Sequence, residues 1–466
     1  MTPTADQVKG KRALVVGLGR SGLAAARRLL SDGALVTCTD TLPLEKLPRE
    51  AQLLAGAGVT LHCGGHVPSD FLAAEYIVLS PGVPQGLPEL AAAIAAGVPY
   101  GSEIDLVARR VGPRVIAITG SNGKSTATKL AGEMLAAAGR EGVACANYGL
   151  PFCEAANGDH EGRWYAAELS SFQLDITFEL QAAAAVLLNV QADHIDRHGS
   201  FAAYRASKER IAELRAPGAP VVLAVDDESV AEFAARTAGP VLQVSVERPV
   251  AEGGCVSGGR LVLRLGGHED VLADVAELPV PGRHNRINIL AAAVACRAAG
   301  VPLEPLHRAV VEFRPLRHRI EEVAQVDGVR YVDDSKATNV GAVLEAIRAI
   351  GETIKPGQRV YVLLGGRDKD SDFRPLVPVM SAAGAVAITF GEAGPLIADV
   401  LAREKFVNLH RSGTLLEATG VARGLARPGD VVLLSPACAS FDAFTGYAAR
   451  GDAFAAEARR FAGERG

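Results

Sequence analysis

The segment Val115–Leu135 constrains this chain more than any other. Val115-Ile116-Ala117-Ile118-Thr119 is an apolar, β-branched run that reads as a buried parallel strand. Gly120-Ser121-Asn122-Gly123-Lys124-Ser125-Thr126 follows it. Behind the loop, Ala127, Leu130, Ala131, Met134, Leu135 and Ala138 keep helical spacing up to Gly139, a plausible C-cap. Strand, glycine turn, Lys-Ser-Thr and helix together are how a chain cradles a polyphosphate. The glycines let backbone N–H groups approach phosphate oxygens, and the helix N-terminus adds partial positive charge. Lys124 reaches the outer phosphates and the Ser125 hydroxyl can bind Mg²⁺. Ile118 stands where the first glycine of G-x-x-x-x-G-K-[ST] belongs, so the loop is shorter than the usual one. An ordinary glycine turn is the alternative.

A chain of 466 residues is too long for one core, and two to three domains are expected. Its 48% hydrophobic and 22% charged content is globular. A formal charge of −5 argues against a nucleic-acid partner or an anionic-membrane surface. The N-terminus enters a strand by Ala13 without a signal-peptide core, and the longest apolar run, Ala182–Leu188, is too short to span a bilayer. No membrane insertion is expected. The seven cysteines have no metal-finger spacing and read as free thiols in a reducing compartment.

From Ala13 the chain reads strand, then Gly17-Leu18-Gly19-Arg20-Ser21-Gly22, then helix, then a second strand ending at Asp40. This G-x-G-x-x-G opening with an acid about 20 residues on is Rossmann-like and, taken alone, favours an NAD enzyme. A later strand, Tyr76–Leu79, runs into Ser80-Pro81-Gly82-Val83-Pro84, either a second backbone nest at the same site or a plain turn. A boundary falls near residue 104.

Beyond the phosphate loop, Asn147 follows the next strand. Trp164–Glu168 is a strand ending in an acid, where a Mg²⁺ ligand is usual beside a phosphate loop. A buried strand, Val186–Val190, delivers Asp193-His194-Ile195-Asp196-Arg197-His198. Asp193 or Asp196 is expected to cap the next helix. Lys208 lies on a helical stretch, Phe201–Leu214, that would ordinarily be a solvated charged face. The chain, however, has ten lysines and 38 arginines among its 48 Lys and Arg, yet Lys124, Lys208, Lys336 and Lys369 each sit in a polar motif. A compact ammonium, or an amine able to lose its proton, is what arginine cannot supply. Residues 240–280 carry no legible chemistry. Asn285 and Asn288 open a helix read as Ile289–Ala299 and can hold a planar base or bridge phosphates, or Asn285 can simply cap it.

A third domain starts near residue 316. Strands Val329–Val332, Val360–Leu364 and Val431–Leu434 end in Asp333-Asp334-Ser335-Lys336-Ala337-Thr338-Asn339, in Gly365–Phe373 and in Ser435–Asp442. Three polar strand ends along one sheet edge make a second Rossmann-like ligand site.

Taken together, Gly120–Thr126, Glu168-Leu169-Ser170-Ser171-Phe172-Gln173-Leu174, Asp193-His194, Asp334–Asn339 and Ser435–Ser440 resemble the Mur ligase family, over essentially the whole chain. The resemblance implies an α/β protein of three domains. Residues 1–103 would be a Rossmann-like domain for a UDP-linked substrate, 104–315 a central P-loop-type ATP-binding domain, and 316–466 a Rossmann-like amino-acid domain. It implies a cytoplasmic, monomeric enzyme that uses ATP and two Mg²⁺ sites to add D-glutamate to UDP-N-acetylmuramoyl-L-alanine through an acyl phosphate.

On that resemblance Gly120, Asn122, Gly123, Lys124, Ser125, Thr126, Asn285, Asn288, Arg319 and Asp334 would bind ATP. Lys124, Glu168, His194 and Lys208 would be catalytic. Ser125 and Glu168 would hold one metal, and His194 and a carbamylated Lys208 the other. Gly17, Gly19, Arg20, Ser21, Gly22, Asp40, Thr41, Ser80, Gly82 and Asn147 would contact the UDP substrate, with Asn147 also near the γ-phosphate or the metal. Lys336, Thr338, Lys369, Ser440 and Phe441 would hold D-glutamate. Two departures stand out. Asp333 replaces the asparagine usual before Asp-Ser-Lys, and Arg367 and Asp370 flank Lys369 where other residues are common. A nicotinamide dehydrogenase, which leaves Lys124–Thr126 unused, and a sibling ligase such as a folylpolyglutamate synthase, which leaves the N-terminal unit unused, are the alternatives, with a non-catalytic nucleotide-binding protein behind them.

Overall fold

Short runs of Val, Ile, Leu and Ala become the strands of three sheets in the computed structural model, which describes residues 8–463. In the first, β1 (Arg12–Val16), β2 (Leu35–Asp40), β3 (Thr60–Cys63), β4 (Tyr76–Leu79) and β5 (Tyr100–Gly101) are all parallel, in the order β3-β2-β1-β4-β5. The chain steps outward from β1 to β3 and returns to the other side of β1. Strand order therefore reverses between β1 and β4, and the crevice at such a switch point is where open α/β sheets bind ligands. Gly17–Gly22 and Ser80–Gly82 both lie there.

The second sheet has nine strands: β6 (Val115–Thr119), β7 (Glu141–Ala146), β8 (Arg163–Glu168), β9 (Ala184–Leu187), β10 (Val221–Ala224), β11 (Val241–Ser245), β12 (Gly253–Ser257), β13 (Arg260–Leu265) and β14 (His268–Asp274). Their order is β14-β13-β12-β11-β10-β9-β6-β8-β7. Every residue of β6 is buried, as a continuous apolar run between two neighbours and two covered faces requires. Residues 240–280 supply its edge: β12 is parallel to β11, and β13 and β14 complete an antiparallel meander. Gly254 has a packing reason to lack a side chain. A Cβ on Gly254 would lie 2.9 Å from Val294 Cγ2, on the helix Arg283–Ala298.

The strand read as Val186–Val190 is shorter and earlier. Leu188 makes its ladder bond to Thr119 O, and the chain then turns toward the phosphate loop. The helix read as Ile289–Ala299 begins six residues sooner, at Arg283, so Asn285 is inside it and not its cap. Its amide donates back to Pro281 O at 2.7 Å.

The third sheet runs β15-β16-β20-β17-β18-β19, from β15 (Glu321–Val326), β16 (Val329–Asp333), β17 (Val360–Gly365), β18 (Val386–Phe390), β19 (Leu409–Arg411) and β20 (Val431–Ala437). Only β15 is antiparallel. The strand ends singled out by sequence belong to β16, β20 and β17, which are adjacent.

The chain forms two compact units. One holds residues through Glu277 with Ile287–Val311, and the other holds Leu278–Arg286 with residues from Glu312 onward. Within the first, two buried carboxylates tie the segment after β5 to loops of the second sheet. Glu103 accepts from Phe152 N–H (3.1 Å) and Cys153 N–H (2.7 Å), and Asp105 from the N–H groups of Ser102, Phe178 and Glu179. The seven cysteines are all unpaired, Cys63 being the one that is not fully buried. No helix among the described residues is long and apolar enough to cross a membrane.

In the second unit, fully buried Arg450 donates to Ser335 Oγ and to the carbonyls of Ser335, Cys438, Ala439 and Gly365, which joins the ends of β16, β20 and β17. Replacing it leaves several buried acceptors unpaired. Arg450→Met is expected to lower stability on the order of 3 kcal/mol, read as an earlier midpoint in urea unfolding.

Candidate active site

The phosphate loop leaves the end of β6 between β9 and β8. Gly120 (φ +158°) and Gly123 (φ +85°) turn it, and Gly123 serves as N-cap of the helix Lys124–Ala137 without a side-chain cap. A side chain is disfavoured at 123 by the positive φ, and its Cβ would lie 2.2 Å from Asn288 Oδ1, which would have to move. This places Asn288, buried, directly behind the turn. Lys124 Nζ curls over its own loop, donating to Gly120 O (2.7 Å) and Ser121 O (2.9 Å). Ser125 and Thr126 follow on the first helical turn. The loop is held from the far side by Asn189, Gln191 and Tyr204, none of which sequence reading singled out. They look like ordinary linker and helix residues until β9 is placed beside β6.

Glu168 ends β8 in register with Ile118. It is 3% exposed; Oε1 accepts from Asn147 Nδ2 at 2.6 Å, while Oε2 is buried without a hydrogen-bond partner. A buried unpaired carboxylate oxygen is costly unless a cation completes it. With the Ser125 hydroxyl on the adjoining turn, this donor set fits a hard cation such as Mg²⁺.

His194 adopts φ +53° and is itself the N-cap of Ile195–His198, without a side-chain cap bond. The expectation that Asp193 or Asp196 caps this helix is therefore corrected. Asp193 Oδ1 accepts from His194 N–H (3.0 Å), and Asp196 lies within the first turn. The His194 ring packs on Phe172, which also stacks on His198 and lies under the Arg197 guanidinium. Arg197 reaches on to the carbonyls of Gly82 (3.1 Å) and Val83.

Lys208 is not part of a solvated face. Its helix is Phe201–Glu209, capped by Ser200, with a 3-10 turn from Arg210 to Leu214. The solvated charge is Arg205, paired with Glu209 and Glu232. Lys208 is 1% exposed; its Nζ donates to Gly120 O at 2.8 Å and lies 4.7 Å from the Tyr204 ring centroid. No carboxylate comes within ion-pair distance of it among the described residues. Burial, and then the Lys124 charge, push the Lys208 pKa well below that of an ordinary lysine.

At the N-terminal turn, Ser80 Oγ donates to Gly17 O (2.7 Å), so the two loops meet as one cradle. A Cβ on Gly22 would lie 1.8 Å from Gly17 O. Asp40 accepts from Leu18 N–H (2.7 Å) and Leu42 N–H (2.9 Å), fixing the turn on both sides. Gly19 is the N-cap of Arg20–Ser31 and lacks a side chain to cap it. Arg20 donates to Gly149 O, two residues past Asn147. Ser21 is half-buried and Thr41 exposed beside Asp40.

In the second unit, Arg319 stands between two residues of positive φ, His318 (+62°) and Ile320 (+47°). Asp334 is buried and accepts from Ser435 Oγ at 2.8 Å; burial lifts its pKa to about 7. Lys336 N–H donates to His318 O (3.1 Å), and its Nζ lies 3.9 Å from the Tyr447 ring centroid. Thr338 is half-buried, Ser440 buried, and Lys369 and Phe441 exposed, all at the polar ends of the same sheet. His318, Glu321 and Asp333 bring ligand-type atoms within 4.8 Å of one another. Two hydrogen bonds account for this proximity: His318 Nδ1 with Asp333 Oδ2 (2.7 Å) and His318 N–H to Glu321 Oε2 (2.8 Å).

Three family models match the chain in turn. They are the Mur ligase MurD-like N-terminal domain over residues 11–101, the Mur ligase middle domain over 118–296 and the Mur ligase glutamate ligase domain over 318–438. The chain is 41% identical to the UDP-N-acetylmuramoylalanine–D-glutamate ligase of Acidobacterium capsulatum, covering 96% of each chain. It is 38% identical to that of Pelotomaculum thermopropionicum, over 95% of this chain and 96% of the other. Among solved structures, its fold is similar to MurF of Acinetobacter baumannii (15% identity, 98% and 92% covered, TM-score 0.60). It is likewise similar to UDP-N-acetylmuramate–alanine ligase MurC of Thermotoga maritima (19% identity, 98% and 99% covered, TM-score 0.56). The chain belongs to the Mur ligase family, with that family's three α/β domains: two Rossmann-like and, between them, one with a phosphate loop.

A carboxyl group whose folded-state pKa is raised binds its proton more tightly in the native state. The stability this gives is full below the unfolded pKa, near 4, and is lost as pH rises through about 7. Asp334→Asn is therefore expected to resist urea better than the parent at pH 8, by a few kcal/mol, with the gap closing toward pH 4.

Proposed function

We propose that this chain forms the amide bond between D-glutamate and UDP-N-acetylmuramoyl-L-alanine at the expense of ATP, a step of bacterial peptidoglycan-precursor synthesis. The observation that carries this reading is the end-to-end likeness to ligases bearing that name, 41% identical over 96% of the chain, around a phosphate loop built as described. The dehydrogenase and folylpolyglutamate synthase readings are not favoured, since the N-terminal segment matches a MurD-like domain.

The domains divide the work as 1–103 for the UDP substrate, 104–315 for ATP and 316–466 for D-glutamate. A carboxylate oxygen of the substrate attacks the γ-phosphorus and ADP leaves. The amine of D-glutamate then attacks the acyl carbon, a proton is lost, and inorganic phosphate departs. Lys124 and the first N–H groups of its helix hold the phosphoryl oxygens as charge moves to the leaving group. Ser125 and Glu168, and His194 with Lys208, would hold Mg²⁺, which when bound neutralises phosphate charge. Asn147, already bonded to Glu168, orients that carboxylate. Arg319, Asp334 and Asn285 serve the nucleotide. Lys336, Thr338, Lys369, Ser440 and Phe441 serve an amino acid whose two carboxylates call for cations and hydroxyls. We assign the reaction to a monomer in the cytoplasm, where ATP and UDP-linked precursors occur together.

Phosphate release from ATP is expected only with both the UDP-muramoyl-alanine substrate and D-glutamate present. Lys124→Ala is expected to lower it about 10³-fold. Release that ignores either substrate, or that survives in the variant, would remove the reading.

Lys208 acts as a carbamate. Buried beside Lys124, its amine gives up its proton more readily than an ordinary lysine. Nitrogen attacks CO₂, one proton passes to solvent, and the product is an anionic oxygen ligand where a cation stood. Lys208→Ala is expected to lose about 10²-fold or more in activity, as does removal of a metal-site group. Short carboxylic acids should restore part of that loss. Isotope-labelled bicarbonate should give a carbamate signal in the parent that the variant lacks. Full activity of Lys208→Arg would exclude the carbamate.

A further inference from the structure

We propose that Asn189, which has no part in the roles assigned above, is a positioning residue that holds the phosphate loop in its anion-binding form. The proposal rests on this loop being the ATP site.

The geometry is that of a strand ladder continued by a side chain. β6 and β9 pair in register as far as Thr119 with Leu187. Leu188 N–H then bonds to Thr119 O (3.0 Å), and Ser121 N–H to Asn189 O (2.9 Å). Beyond that the two backbones diverge, and the Asn189 carboxamide takes over. Its Oδ1 accepts from Asn122 N–H at 2.8 Å and its Nδ2 donates to Asn122 O at 3.1 Å. One carboxamide thus presents the acceptor and the donor that a further strand residue would have presented. Gln191 locks the flanking residues: its N–H donates to Ser121 Oγ (2.8 Å), its carbonyl accepts from the same hydroxyl (2.9 Å), and its Oε1 accepts from Asn122 Nδ2 (3.0 Å).

Two consequences follow. The Asn122 N–H is turned to Asn189 and away from any anion, so the backbone donors for phosphate begin at Gly123. And Gly123, whose positive φ is among the many states open to glycine, is fixed on one side by Asn288 and on the other by the pinned peptide before it. Without Asn189 the loop would have to be ordered each time ATP binds, and that entropy would weaken the complex.

The test uses the full-length chain, with ATP and UDP-N-acetylmuramoyl-L-alanine titrated separately by calorimetry, and with KM measured for each. Asn189→Ala is expected to raise Kd and KM for ATP about tenfold or more, the worth of two lost hydrogen bonds, and to leave the UDP substrate within about twofold. Asn189→Asp has the same shape but sets a carboxylate oxygen against Asn122 O. It is expected to bind ATP no better than Asn189→Ala. The proposal is overturned if Asn189→Ala binds ATP within about twofold of the parent, if Asn189→Asp binds like the parent, or if Asn189→Ala weakens both ligands alike. A parent chain that binds no ATP would instead overturn the phosphate-loop reading, and this proposal with it.

Discussion

A buried ammonium sets the terms for the centre of this molecule. Lys208 is almost wholly removed from water, yet the partners of its Nζ are one carbonyl, Gly120 O, and the face of Tyr204. Lys124 donates to the same carbonyl. Two like charges around one acceptor, with the Glu168 Oε2 left unpaired, do not form a balanced ionic site. The arrangement is relieved by loss of a proton from Lys208, by arrival of an anion at Lys124, or by both. The strain has one direction: it favours phosphate over the loop and a cation at Glu168. The stability forgone there is the usual cost of a site prepared for charged ligands.

Around that charge, side chains are absent where backbone must come close. At Gly123 the obstacle is Asn288, and at Gly22 it is the Gly17 carbonyl. In the first case a helix start is brought against a side chain of the helix Arg283–Ala298, in the second against the turn before it, each more closely than a Cβ allows without a shift, so that backbone N–H groups rather than side chains are presented there. The same device thus recurs at two turns of one chain. What separates the two turns is where the following cation goes: Lys124 curls back over its own loop, whereas Arg20 reaches away to Gly149 O and the N-terminal turn is buttressed by Asp40 through Leu18 N–H.

Features with a local cause are legible in the amino-acid sequence. The β6 and β17 strands are buried, nearly unbroken apolar runs, and the strand–glycine–lysine order of Thr119–Thr126 has few other uses. Features whose cause is non-local are not. Asn189 and Gln191 acquire meaning only when β9 pairs with β6, which depends on contacts some 70 residues apart in sequence. Lys208 reads as surface because its neighbours Glu209 and Arg210 are charged; the helix turns it inward against Gly120. The cap expected from Asp193 or Asp196 fails because His194 takes a left-handed conformation that local propensity does not foresee. The Gly-rich stretch from 240 to 280 resists reading because its strands are held by the sheet edge, and by the helix Arg283–Ala298 pressed on Gly254, more than by any pattern of their own.

The departures in the C-terminal domain divide by the same logic. Asp333 is wholly buried, and its oxygens are taken by His318 Nδ1 and Ser335 N–H. It therefore does not reach a ligand. An asparagine at this place would offer one acceptor oxygen in place of two, so the aspartate is suited to hold His318 and Ser335 together. His318 passes the constraint on: its carbonyl takes the Lys336 N–H, and its left-handed turn presents Arg319. The second departure is of a different kind. Arg367 pairs with Glu392 at half-exposed side chains, and Asp370 is exposed in a left-handed conformation. Charge there is screened by water and free to be retuned. The buried change therefore bears on how Lys336 and Arg319 are held, and the exposed ones on the charge that the end of the sheet presents to solvent.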